Sequence, residues 1–275
     1  GNPCSGNATL VTLGKGEGNF LVTAAHVFLP SGEKEIPENN WKDFSFNIRL
    51  GSDEKGMGRY KRFYIASIQF GTRSPQLDSP DLKDYAFIWL KDNPSAYSKD
   101  VKPINIKPDE SDESFFSHKA LLAGYAAEVD PNDPKGNMRW FFKRSCELFN
   151  IFKLPTERDF WVGSDMDKSL FAISGASLDG YSGAGIVALT QKGEGVYLGL
   201  HRGWYDRKGN SNSGEEFNIS SRFNYAISVK SFYNELLLFN KKQLALDKAA
   251  HNGDKWSVLP GDKVSKVLGG GNGSI

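Results

Sequence analysis

The sequence predicts an all-β fold of two domains closed by one C-terminal helix. Three observations carry this. About twelve short stretches rich in β-branched and aromatic residues are separated by Gly, Asn, Asp and Pro clusters, the pattern of a sandwich or barrel. Residues 98–117 break the rhythm with Pro103, Pro108 and an acidic cluster from Asp109 to Glu113, a composition unsuited to a core. After Val229 the apolar period changes to that of an amphipathic helix.

The first group of strands is expected at 9–13, 19–23, 44–50, 60–70 and 84–90. Its clearest punctuation is the glycine-flanked turn from Gly14 to Gly18, and a polar loop covers 31–40. The second group is expected at 120–126, 139–152, 160–163, 170–175, 185–190, 196–203 and 223–229. The helix, about 230–249, follows from Phe232, Leu236, Leu237, Leu238, Leu244 and Ala245 set among Lys, Asn and Gln. The domains are therefore read as 1–108, a linker at 109–118, and 119–250. Residues 251–275 end in a Gly-rich run with little apolar surface to repay ordering, and read as a flexible tail or the start of a linker to a further domain.

Composition excludes several functions. The 275 residues carry 34 Lys plus Arg against 33 Asp plus Glu, so a net charge of +1 supplies no field to hold nucleic acid or an anionic membrane. No apolar run approaches the ~20 residues of a membrane helix, which predicts a soluble chain. The start at Gly1 rather than Met reads as a processed product; a removed targeting segment stays open, and the cytoplasm is favoured. Two cysteines, Cys4 and Cys146, are too few for a disulfide scaffold. They show no metal-ligand spacing with His26, His118, His201 and His251, so neither a metal nor a cofactor is expected. The sequons at Asn7, Asn218 and Asn272 are what chance gives in a chain of this composition.

Three segments could carry chemistry. Thr23-Ala24-Ala25-His26-Val27 ends an apolar strand, and its small alanines let a histidine sit close to neighbouring backbone. A lone histidine of this kind is more often structural. Fifty-eight residues later, Asp84 leads directly into an apolar strand, whereas Asp78 and Asp81 do not; an aspartate there is commonly a cap or turn residue. Asp179-Gly180-Tyr181-Ser182-Gly183-Ala184-Gly185 is a glycine-flanked turn that could expose a hydroxyl and let backbone N–H groups converge, as an acyl-transfer intermediate requires. Glycine turns are common in β proteins, and it is the order of the three segments that gives them weight.

Together they resemble the trypsin-like serine proteases of the chymotrypsin fold, over about residues 5 to 250. The resemblance implies two six-stranded antiparallel β-barrels with a C-terminal helix, His26 and Asp84 on the first barrel and Ser182 on the second. It assigns His26 as general base, Asp84 as its orienting carboxylate, Ser182 as nucleophile, and the N–H groups of Gly180 and Ser182 as the oxyanion hole. Leu122-Ala123-Gly124-Tyr125 looks like an early strand of the second barrel. Departures point towards bacterial or viral branches: Tyr181 and Ala184 replace familiar residues of the nucleophile turn, no cysteine follows His26, and no Ile-Val-Gly-Gly start is present. A Cys4–Cys146 pair and two free thiols are equally open.

By the same resemblance, Ala176 at the base of the specificity pocket disfavours basic substrates. Ser177 with His201 on the pocket wall, and Arg202 and Gly203 beside it, is similar to the bacterial glutamyl endopeptidases and to the picornaviral pair that reads Gln. The expected substrate is a protein or peptide cut after Glu or Gln, a protonated His201 favouring the carboxylate; Arg202 and Arg207 would favour acidic substrates or be solvated loop charges. The alternatives are an impaired protease-fold binding module, or an active protease with an apolar pocket in which His201 is only packed on its strand. An α/β-hydrolase runs Ser, acid, His, with its nucleophile turn entering a helix, and Cys146 lacks a glycine turn.

Overall fold

A computed structural model describes residues 6–14, 18–52, 58–77, 81–107, 119–129, 139–149, 169–173, 180–190, 193–206 and 222–251. It is mostly β-strand with one C-terminal helix, the class the sequence predicts. The strands are β1 (Thr9–Thr12), β2 (Asn19–Thr23), β3 (Ser45–Ser52), β4 (Gly58–Phe70), β5 (Ala86–Leu90), β6 (Ile104–Asn105), β7 (Lys119–Val129), β8 (Arg139–Phe149), β9 (Leu170–Ile173), β10 (Gly185–Leu189), β11 (Gly195–Asp206) and β12 (Arg222–Ser228), and the helix is α1 (Val229–His251).

Hydrogen-bonded neighbours run in the order β10-β7-β8-β9-β12-β11-β6-β1-β2-β5-β4-β3, and β10 also pairs with β11. The joint between the two groups is β6, which pairs in parallel with β1 through Ile104 and Val11 and with β11 through Asn105 and Val196. It lies in the segment read as a break between groups. Two residues after Pro103 are too short to show a period of two, so only the tertiary fold makes them a strand.

Two faces explain the remaining patterns. All five residues of β5 are buried, because β2 and β4 flank it and α1 contributes to the cluster it lies in, so its sequence is a continuous apolar run. In β4, Phe63 and Ile65 are buried while Arg62, Tyr64 and Ala66 are exposed, the alternation of a half-buried strand. The larger core joins Phe20, Phe63, Tyr85 and Phe87 to Leu200, Tyr225 and Ile227 from the second group and to Phe232, Leu236 and Phe239 of α1. A smaller one gathers Leu122, Leu148, Ile173, Ile186 and Leu198.

The helix corrects part of the sequence reading. Its buried stripe is Val229, Phe232, Leu236, Phe239, Asn240 and Gln243, whereas Leu238 is 67 % exposed and Ala245 is exposed. The run of three leucines hid the face, because Phe239 rather than Leu238 keeps the three-and-four spacing. Phe232 lies 5.0 Å from Tyr85 and Phe239 6.3 Å from Phe20, so α1 seals the first strand group. His251, expected in the tail, is the last helical residue. The expected strand at 160–163, the linker at 109–118 and residues 252–275 lie outside the described residues.

Candidate active site

Strand register brings His26 and Asp84 together. β2 and β5 are antiparallel with Thr23 opposite Ala86, so the end of β2 and the approach to β5 share one sheet end. Beyond Thr23 the chain turns into a short 3-10 segment, Ala25–Phe28, and the fully buried Ala24 and Ala25 leave no room for larger side chains. Asp84 is 0 % exposed. It accepts from the His26 backbone N–H at 2.8 Å on Oδ1 and faces His26 Nδ1 at 2.7 Å with Oδ2.

Burial alone would raise the Asp84 carboxyl. The charge and hydrogen bonds of His26, with the charge of Arg202, outweigh it and hold the group below its ordinary value. Since an ionised carboxylate only accepts, the proton shared with Asp84 sits on His26 Nδ1, and a ring carrying that one proton has Nε2 as its acceptor. Asp81 instead fixes the loop before Asp84, accepting from the backbone N–H groups of Gln76 and Lys83. Asp78 lies outside the described residues.

The Ser182 turn is held by backbone. Ala184 N–H donates to Tyr181 C=O at 2.9 Å and Gly183 has φ 82°, a tight turn with its left-handed residue at the third position, where glycine is favoured. A side chain at Gly183 would collide with the Asn7 carbonyl and the Thr23 hydroxyl and reach 3.0 Å from Ala24 N. That contact sets the Ser182 turn against the strand end that leads into His26. From the other side, Gly183 N–H donates to His201 C=O at 2.8 Å and His201 N–H to Ala184 C=O at 2.7 Å, joining the turn to β11.

Across a trans peptide, N–H and C=O point in opposite directions. With the Tyr181 carbonyl directed into the turn, the Ser182 N–H points out of it. Neither Ser182 N–H nor Gly180 N–H has a partner among the described residues, as an oxyanion site requires.

Asn7, which the sequence reading treated as a chance sequon, is a buried junction. Its Nδ2 donates to Gly180 C=O at 2.6 Å and Tyr125 C=O at 2.9 Å, and its Oδ1 accepts from Tyr125 N–H at 2.6 Å. Its backbone N–H donates to Ser182 C=O at 2.7 Å, and its own C=O accepts from Thr23 Oγ1 at 2.5 Å. One residue thus ties the Ser182 turn to β7 and to the His26 strand. No local pattern marks it, because four of its five hydrogen bonds reach residues more than a hundred positions away; only Thr23 is near in sequence.

The expected specificity residues fare unequally. Ala176 and Ser177 lie outside the described residues, as do Arg207 and Cys4. His201 is 1 % exposed, with Nε2 3.5 Å from Asn224 Oδ1 and its ring edge-on to Tyr181. Burial lowers its pKa to about 4, so at neutral pH it lacks the charge that would favour a carboxylate. Arg202, expected beside the pocket, is instead buried, with Nε against Asp84 Oδ2 as an ion pair and Nη2 donating to Gln76 C=O at 2.6 Å. A register shift in the β11–β12 pairing spans His201 to Gly203.

Cys146 is a free, buried thiol on Ala120 C=O, its pKa pushed up to about 11 by burial, and is no nucleophile at neutral pH. Among the described residues no cluster of three or more His, Cys, Asp or Glu could hold a metal ion, and no helix is long and apolar enough to cross a membrane. No protein-family model matches this chain, and no curated protein matches it.

Proposed function

We propose that this chain is a serine endopeptidase working through His26, Asp84 and Ser182. The observation that carries this reading is the buried Asp84 bonded at 2.7 Å to His26 Nδ1, with the Ser182 turn set against the Thr23–Ala24 backbone that leads into His26. In the proposed reaction Nε2 takes the Ser182 proton as Oγ attacks the substrate carbonyl. The Gly180 and Ser182 N–H groups hold the oxyanion. The imidazolium then gives its proton to the leaving amine, and water repeats the sequence to release the acyl group.

The pairings also support the two-barrel reading: β7-β8-β9-β12-β11-β10 with β10 returning to β7 for the second half, and β6-β1-β2-β5-β4-β3 for the first. For the substrate we keep Glu or Gln at the cut, and an uncharged His201, which brings no net attraction for a carboxylate, favours Gln of the two. A second reading has its own support: at 1 % exposure His201 serves only to brace Tyr181, and the pocket takes an apolar side chain.

A peptide-library digest tests both. Cleavage should be lost in Ser182→Ala, and Ser182-independent turnover would remove the serine mechanism. A profile centred on Gln that collapses in His201→Ala assigns the pocket to His201; an apolar profile unchanged by that substitution assigns it to packing. If no peptide is cut and Ser182 is inert, the fold serves binding alone.

A further inference from the structure

Arg202 is a charged side chain in a place where charge is costly. Its side chain is 8 % exposed, and its Nε lies on Oδ2 of Asp84, the oxygen that also faces His26 Nδ1. Buried guanidinium groups survive only when paired, yet Asp84 already receives two hydrogen bonds from His26. The pair is therefore more than orientation of the carboxylate requires. Arg202 also follows His201, whose backbone is bonded to Gly183 and Ala184, so adjacent residues of β11 contact the nucleophile turn and the acid.

On the reading of His26 as general base, we infer that Arg202 is a positioning residue that sets the pH at which His26 becomes competent. The reason is electrostatic. Asp84 stabilises a proton on His26, and the guanidinium offsets part of that negative potential, so the imidazole stays neutral to lower pH than Asp84 alone would allow. Among the described residues the other titratable groups facing this cluster are the uncharged His201 on β11, Tyr225 on β12 and Asp81 in the preceding loop. None of them places a second cation beside Asp84. Nη2 on the Gln76 carbonyl fixes the guanidinium, and through Asp81 the loop that leads into Asp84.

The test is an NMR titration of the His26 ring, assigned by loss of its signals in His26→Gln, in wild type, Arg202→Gln, Arg202→Met and Arg202→Lys. Removing one charge at an effective dielectric near 20 should raise the His26 titration by about one to two pH units in both neutral variants, with Arg202→Lys close to wild type. The acid limb of kcat/KM should move with it, whatever happens to the plateau. A His26 titration unmoved in a cooperatively melting neutral variant overturns the inference. Should both neutral variants fail to fold, the wild type decides: a His26 ring that titrates well above the ordinary histidine value of about 6.5 shows the Asp84 potential unopposed and overturns the inference, and one that does not supports it. This readout needs no turnover, so absence of Ser182-dependent cleavage would count against the endopeptidase reading alone.

Discussion

The two sides of the candidate site are held by opposite means. Around His26 and Asp84 the contacts are between side chains, or from side chain to neighbouring backbone, on strand ends set by register, with aromatic core beneath: Tyr85 stacks on Phe87 at 5.0 Å, and Phe232 lies against both. Around Ser182 nearly everything is backbone: a glycine turn, two bonds to β11, and the amide and peptide of Asn7. The first kind of site tolerates almost no change of residue type in its ionisable members. The second depends on conformation, so its weakest point is a residue far away in sequence.

The largest effects should separate those two kinds of support. Asp84→Ala should lower kcat/KM by about three orders of magnitude or more, because the triad acts as a unit. It should also cost about 3 to 5 kcal/mol of stability, because Arg202 is left as an unpaired buried charge. Chemical denaturation alongside kinetics checks this, and an Asp84→Ala protein as stable as wild type would contradict the pairing. Asn7→Ala touches no reacting group, yet removes the donor to Gly180 C=O and to Tyr125 C=O and the acceptor of Tyr125 N–H, at about 1 to 3 kcal/mol for each buried group that finds no replacement. The rate of Ser182 acylation should fall more than His26 basicity changes. Asn7→Asp, which keeps the acceptor but loses both donors, should not rescue it.

Those two residues also mark the limit of what the sequence showed. His26, Asp84 and Ser182 stood out in the sequence by residue type and order, and the structure joins the first two and sets the Ser182 turn against the strand end before His26. The strands were legible because burial on one or both faces leaves a period or an apolar run. Asn7 and Arg202 were not: one resembled a chance sequon and the other a surface charge on a pocket wall, and only the pairing of distant segments gives them partners. The helix face failed for a smaller reason, since three consecutive leucines satisfy several registers until Phe239 is seen buried.

That helix supplies the next prediction. Phe239→Ala should cost about 3 to 5 kcal/mol, as for other buried aromatic truncations, while Leu238→Ala beside it should stay within about 0.5 kcal/mol of wild type. Paired thermal melts decide it, and equal losses would mean the helix presents a different face.

A pH effect distinguishes His201 from His26. Its folded pKa of about 4 lies below the ordinary histidine value, so its neutral form stabilises the fold above pH 6.5 and that contribution is lost as pH falls from 6.5 towards 4. The loss is roughly 3 kcal/mol across that window, because a tenfold change in proton affinity is worth about 1.4 kcal/mol. His201→Gln should flatten the dependence of stability on pH between 4 and 6.5, and an unchanged slope would show that His201 protonates readily in the folded state.

The most direct measurement is reaction with a fluorophosphonate, followed by mass-spectrometric location of the adduct. A single adduct on Ser182 is expected, formed at a rate that rises as His26 loses its proton and is nearly abolished in His26→Ala. An adduct on another residue, or labelling of Ser182 at the same rate with and without His26, would contradict the assignment of Ser182 as a nucleophile served by His26 and Asp84.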